Sequence, residues 1–123
     1  MVRIIDSRTG GILAGRARIC DSAFSRFCGL MLRASLPEDE GIVLSPCGSV
    51  HMALMRFSID VLYLDRAGRV VKLVRRLRPY RVSFGGRHAH SAIEIPSGSI
   101  ERLGVLEGDE IRMEDTADEA LGR

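Results

Sequence analysis

The chain has 123 residues, 46% of them apolar and 28% charged, with a formal net charge of +2. That size and balance fit one domain with its own core and exclude a disordered or collagen-like chain. No run approaches the roughly 20 apolar residues of a membrane helix, the N-terminus lacks the apolar stretch of a signal peptide, and Cys20, Cys28 and Cys47 show no paired spacing. A cytoplasmic protein in a reducing setting is therefore expected.

The N-terminal "VRII" and "ILAGRARI", joined by the turn "DSRTGG", read as a β-hairpin. A helix is expected to start at Asp21 or Ser22, whose side chains can accept from its free N–H groups. Phe24, Phe27, Cys28 and Met31 then share one face at helical spacing, although Gly29 weakens it. "GIVLS" reads as a short buried strand. Residues 50–65 exceed the typical strand of about six residues, so a bend near Phe57 and Ser58 is expected. "DRAG" is a turn with glycine at its last position, and "RVVKLVRRL" returns as a strand ended by Pro79. "YRVSF" and "HAHSAIEI" read as strands around a glycine turn. "PSGSIERLG" reads as one helical turn with Ser97 or Ser99 as N-cap and Gly104 as left-handed C-cap. "EIRM" is the last strand.

Closely spaced short strands with two short helices imply a mainly β fold, a compact antiparallel β-sandwich or small barrel. Residues 1–113 are expected to form one β domain and residues 114–123 a polar tail.

Three segments, "GLMLRASLPEDEGIV" (29–43), "MRFSIDVLYLDRAGRVV" (55–71) and "IEIPSGSIERLGVLEGDEI" (93–111), together resemble the bacterial family called domain of unknown function 192. The resemblance covers about residues 14–113. Gly29, Leu30, Met31, Arg33, Leu36, Pro37 and Gly41 match its first motif. Met52, Ile59, Asp60, Val61, Leu64 and Asp65 match the second, and Glu94 and Gly98 the third. The chain departs from many members at His51, at Ala53, Leu54 and Met55, and at Ser58. The resemblance implies a compact, mainly β fold and no particular activity.

If the strand at 50–65 stayed regular, His51 would head one face with Ala53, Met55, Phe57, Ile59, Val61 and Tyr63. Arg56, Ser58 and Asp60 would form the polar middle of the other face. A bulge would swap the sides beyond it. Asp60, set between Ile59 and Val61, must be paired if buried: by backbone N–H groups, or by Arg33 or Arg56. The bolder reading makes it a base or ligand anchor. His51, Arg56, Asp60 and Arg33 are accordingly the ligand-binding candidates, for a small ligand of unknown identity.

Cys47, His51, His88 and His90 have the chemistry of zinc ligands, but Cys47-x3-His51 is not a common zinc spacing, and no metal is expected. Cys47 and His51 would alternatively serve as nucleophile and base of a small thiol enzyme, although no oxyanion-hole motif accompanies them.

The charges are segregated. Eight Lys or Arg residues and no acid lie between Arg66 and Ile93, and nine acids follow from Glu94 onward. The plain reading is that basic and acidic strands neutralise each other. The alternative is a surface for nucleic acid or an acidic partner, with Tyr80 and Phe84 interleaved. Nucleic acid is the less favoured of these, because aromatics are sparse and no RNA-recognition or helix-turn-helix pattern occurs.

Overall fold

A computed structural model describes residues 1–20, 35–52 and 56–116. The elements in chain order are β1 (Val2–Asp6), β2 (Ile12–Cys20), β3 (Glu40–Leu44), β4 (Ser49–His51), β5 (Ile59–Leu64), β6 (Val70–Leu77), β7 (Val82–Phe84), β8 (Ser91–Pro96), α1 (Ser99–Leu103) and β9 (Ile111–Asp115). The helix expected from Asp21 or Ser22 falls in residues 21–34, outside the described residues. Among the described residues α1 is the one helix, where two were expected.

The hairpin of β1 and β2 forms as its turn chemistry dictates, with Gly10 at a φ of 75° closing onto the Asp6 carbonyl. Seven strands make one sheet in the order β6-β5-β8-β3-β2-β1-β9, and β4 and β7 make a separate two-stranded ribbon. Most pairs are antiparallel, but β2 and β3 run parallel, which corrects the all-antiparallel expectation. A parallel neighbour needs a long crossover of about a dozen residues or more, and the segment between Cys20 and Glu40 supplies it.

The two edge strands meet at one end of the sheet. The Val70 N–H donates to Asp109 O (2.9 Å), Gly108 N–H to Val70 O (2.8 Å) and Ile111 N–H to Gly68 O (2.9 Å). These bonds pair edge groups that would otherwise face water or a stray strand. The face enclosed by this closure carries one core, including Ile4, Leu13, Val43, Leu62, Ile93, Ile95 and Ile111, with Ile100 of α1 packed into it. The outer face carries a second core, including Ile42, Leu44, Val61, Tyr63 and Ala92. β5 and β8 are therefore buried on both faces, which explains the unbroken apolar run "VLYL".

The stretch 50–65 is not one strand. β4 ends at His51 and β5 begins at Ile59, so the alternation expected through Phe57 does not continue across it. The ribbon of β4 and β7 lies over Tyr63, whose buried hydroxyl donates to Ser83 O at 2.9 Å. Gly85 lies flush on the same ring. A Cβ there would come within 2.6 Å of both Tyr63 Cγ and Ala89 Cβ, and closer still to Tyr63 Cδ1. Gly85→Ala is expected to cost about 1–3 kcal/mol by overpacking, read as a lower urea midpoint with an unchanged slope.

β8 starts at Ser91, so His88 and His90 lie in the loop before it rather than on the expected strand. Gly86, at a φ of 94°, opens a turn closed by the Ala89 N–H on Gly86 O. At α1 the Gly104 C-cap is left-handed as expected, but the N-cap is Gly98, with no side-chain cap of its own. Ser97 does not cap the helix, and Ser99 is already helical, its hydroxyl donating to Pro96 O at 2.6 Å.

Candidate functional site

Asp60 supplies the missing cap. Its side chain is fully buried on the enclosed face. Oδ2 accepts the Ile100 N–H of α1 at 2.9 Å, and Oδ1 accepts the Arg76 N–H of β6 at 2.9 Å. The second bond exists because β6 bulges: Ile59 pairs with Leu77 and Val61 with Val74, so Arg75 and Arg76 together oppose Asp60. Arg76 takes a φ of 52° there. Of the two expected solutions for a buried Asp60, backbone N–H donors are the one seen. An anionic oxygen at the start of a helix is doubly favoured, by the free N–H and by the helix dipole.

His51 sits on β4 opposite Val82, half-buried. Arg56 is exposed ahead of β5. Arg33 lies outside the described residues. Asp60 and His51 are thus on different sheets, and the four ligand-binding candidates are not seen as one cluster. The Cys47 N–H donates to His90 O at 2.7 Å, so the two segments do meet, through backbone. The Cys47 thiol donates to Ser49 O at 2.9 Å. Among the described residues no three His, Cys, Asp or Glu side chains converge as a metal would require, so Cys47, His51, His88 and His90 do not form the zinc set their chemistry allowed.

His88 and His90 meet different company. With Arg87 and Ala89 they form one wall of an open groove of about 600 Å³, and Asp65, Arg66 and Ala67 of the β5–β6 turn form the other, with Val71 also lining it. The loop is anchored to β5 by the His90 N–H on Leu64 O (2.7 Å). Among the described residues Asp65 is the one acid lining the groove, and its Oδ1 is held by its own turn. Its Oδ1 accepts the N–H groups of Arg69 (3.0 Å) and Ala67 (2.9 Å), and these bonds, Arg69's foremost, hold the carboxyl below its ordinary range. Two guanidiniums and two imidazoles therefore line the groove with one carboxylate whose Oδ1 is held by backbone N–H groups.

The basic segment is not neutralised as the plain reading expected. Elsewhere arginines pair with acids: Arg3 with Glu114, Arg8 with Asp109, Arg16 with Asp39 and Glu40, Arg102 with Glu38 and Arg112 with Glu114. Among the eight cations between Arg66 and Ile93, Arg76 pairs with Glu101 (2.8 Å) and Lys72 donates to Phe84 O (2.7 Å). No ion pair with a described acid involves Arg66, Arg69, Arg75, Arg78, Arg81 or Arg87, all exposed. Two acids of the C-terminal third are engaged elsewhere, Asp109 by Arg8 of the β1–β2 turn and Glu114 by Arg3 of β1 and Arg112 of β9. Asp109 is the clearest case: burial pushes its carboxyl up, but bonds from Arg8, Asp6 and the Leu106 N–H outweigh that and hold it at about 2.

Glu94 stands outside the candidates drawn from the sequence. It lies on β8, level with Ile42 of β3 and Val61 of β5, and is only 6% exposed. Ladder partners share a face, so its carboxyl sits among the outer-face core residues. Burial pushes its pKa up to about 7. A sequence signal existed: an acid between two isoleucines in a strand whose neighbours are apolar on both faces.

With this geometry in place, the relatives can be compared. A 37% identical UPF0127 protein of Thermococcus sibiricus aligns over 90% of this chain and 74% of its own length. Another, from Pyrococcus furiosus, is 37% identical over 76% of this chain and 83% of its own. These relatives are archaeal, so the expectation of a bacterial family was too narrow. A crystal structure of a protein of unknown function from Novosphingobium aromaticivorans superposes with a TM-score of 0.78 at 21% identity, covering 90% of this chain and 82% of that one. A crystal structure described as that of a putative transcription regulator from Sinorhizobium meliloti gives 0.79 at 20% identity, covering 91% of each. At those identities the likeness is one of fold. Among the described residues no helix is long and apolar enough to cross a membrane. The model of the uncharacterised family domain of unknown function 192, "Uncharacterized ACR", matches residues 4–113, and the chain belongs to that family.

Proposed function

We propose that this chain is a ligand-binding accessory domain whose ligand carries a phosphate or similar oxyanion, held in the groove between residues 65–67 and 87–90. The carrying observation is the convergence of Arg66, Arg87, His88 and His90 on one concave space whose acid, Asp65, is already engaged. Concavity with a few converging polar groups is what ligand sites share. Guanidinium suits tetrahedral oxyanions through paired N–H donors. His51, on the ribbon opposite Val82, is kept as a candidate contact on its chemistry. Arg56 and Arg33 are kept as candidate contacts on their charge, and Asp60 as the residue that fixes β5 and α1 beneath.

The bridged edges of the main sheet support reading it as a small, partly closed barrel. Strands from β1 to β9 contribute to one core, which supports residues 1–113 as one domain with a polar tail. The odd count of three cysteines with no paired spacing supports a cytoplasmic location.

Calorimetric titration with inorganic pyrophosphate tests the site. One saturable site of roughly millimolar affinity or better is expected. The double variant Arg66→Ala, Arg87→Ala should weaken it about tenfold or more without altering the circular dichroism spectrum. Absence of saturable binding, or binding indifferent to both arginines, defeats the proposal.

A further inference from the structure

The strand that leads into the groove carries the other feature needing explanation. On β7, Val82 and Phe84 are 58% and 67% exposed, and Tyr80 just before it is 73% exposed. Ser83 between them is buried beneath, its carbonyl taken by Tyr63. Val82 and Phe84 therefore share one solvent-facing side, about 7 Å apart, with Ser49 and His51 as their ladder partners. Lys72 ties this strand to β6 through Phe84 O. Arg78 and Arg81, which make no ion pair with a described acid, flank Tyr80 in sequence, and Arg87 follows Phe84 by three residues. Apolar side chains on a soluble surface are unremarkable singly, but a row of them mixed with unpaired cations is not.

Tyr80 adds an independent sign. Its φ is 65°, a left-handed conformation natural to glycine or asparagine and costly for a bulky ring. The backbone is held there by its N–H on Met52 O (2.8 Å) and by Arg81 N–H on Arg78 O (3.2 Å). The fold gains no burial from the ring at this position, since it stands in solvent.

We infer that the oxyanion bound in the groove is a phosphate of a single-stranded nucleic acid whose bases stack on Tyr80 and Phe84, an inference that rests on the anion reading of the groove. Stacking accepts any base, because each has a π-face, while unpaired arginines follow the backbone. Duplex is disfavoured because its bases are already stacked, and no described helix is long enough to read a groove: α1 has five residues. An acidic peptide would satisfy the arginines but has no use for two exposed rings.

Fluorescence anisotropy with a labelled oligothymidylate of about a dozen nucleotides separates these outcomes. With about three phosphates neutralised, log affinity should fall against log salt with a slope near −2. Phe84→Ala and Tyr80→Gly should each weaken binding about tenfold while leaving that slope unchanged. Tyr80→Gly suits the positive φ and should keep or raise Tm, so lost binding there is not lost folding. The double variant Arg66→Ala, Arg87→Ala should flatten the slope by about 1. Inorganic polyphosphate is the control arm. If it binds as tightly as the oligonucleotide and the aromatic variants change nothing, the groove stands and the nucleic-acid inference falls. If neither binds, both readings fall. Duplex or polyglutamate binding as tight as the single strand also overturns the inference.

Discussion

Asp60→Ala should lower the unfolding free energy by about 3 kcal/mol or more, a loss of roughly 10 °C in Tm, measured by thermal and urea denaturation. The carboxylate holds two backbone donors that nothing else reaches, Ile100 N–H at the start of α1 and Arg76 N–H at the β6 bulge. Removing it leaves the buried Ile100 N–H and the part-buried Arg76 N–H without this acceptor and uncaps a helix that packs into the enclosed core. Asp60→Asn should fall between, because its amide offers an oxygen to one donor and N–H to the other. An Asp60→Ala protein as stable as the parent would return Asp60 to the list of functional residues, since a buried carboxylate without a structural role needs another reason.

Glu94→Gln should do the opposite, and only at higher pH. The carboxyl has an ordinary value of 4.5 and is pushed up to about 7 in the fold. The folded state therefore holds a proton that the unfolded state gives up between those two values. Stability contributed by the protonated form is complete below the lower value and is lost as pH rises through the upper one. The loss amounts to about 3 kcal/mol. Glutamine mimics the neutral acid, so the variant should match the parent near pH 4 and exceed it by about that amount near pH 8. Equal stability differences at both pH values would show that Glu94 is ionised and compensated in the fold.

Much of the fold was legible because periodicity and turn chemistry act locally. The N-terminal hairpin, the glycine at the end of "DRAG" and the Gly104 cap all follow from residues a few positions apart. The parallel pairing of β2 with β3 was not legible, because strand order depends on where a crossover returns, and no residue in "GIVLS" encodes that. The N-cap of α1 was misplaced for a similar reason. Ser97 and Ser99 have capping side chains nearby in sequence, but Asp60, some forty residues earlier, reaches the helix first.

The candidate site divides the same way. Asp60 stood out correctly as a buried acid needing partners, and the sequence even offered backbone N–H groups as one solution. His88 and His90 were weighed in the sequence as zinc ligands, with no metal expected. They line a groove whose other wall, Arg66, was visible only as part of a charge run. Spacing shows which residues share a strand face, but not which loop faces which turn. The pairing of acids was also hidden. Composition suggests that nine C-terminal acids neutralise eight cations, whereas Arg8 takes Asp109 and Arg3 and Arg112 share Glu114.

The most direct measurement is a nuclear magnetic resonance titration with inorganic pyrophosphate, following the imidazole signals of His88 and His90 and the backbone amides of residues 65–67 and 87–90. Concerted, saturable shifts confined to those positions, with one dissociation constant and abolished in the Arg66→Ala, Arg87→Ala variant, are the expected result. Shifts scattered over exposed cations, growing without saturation, would contradict a site in this groove.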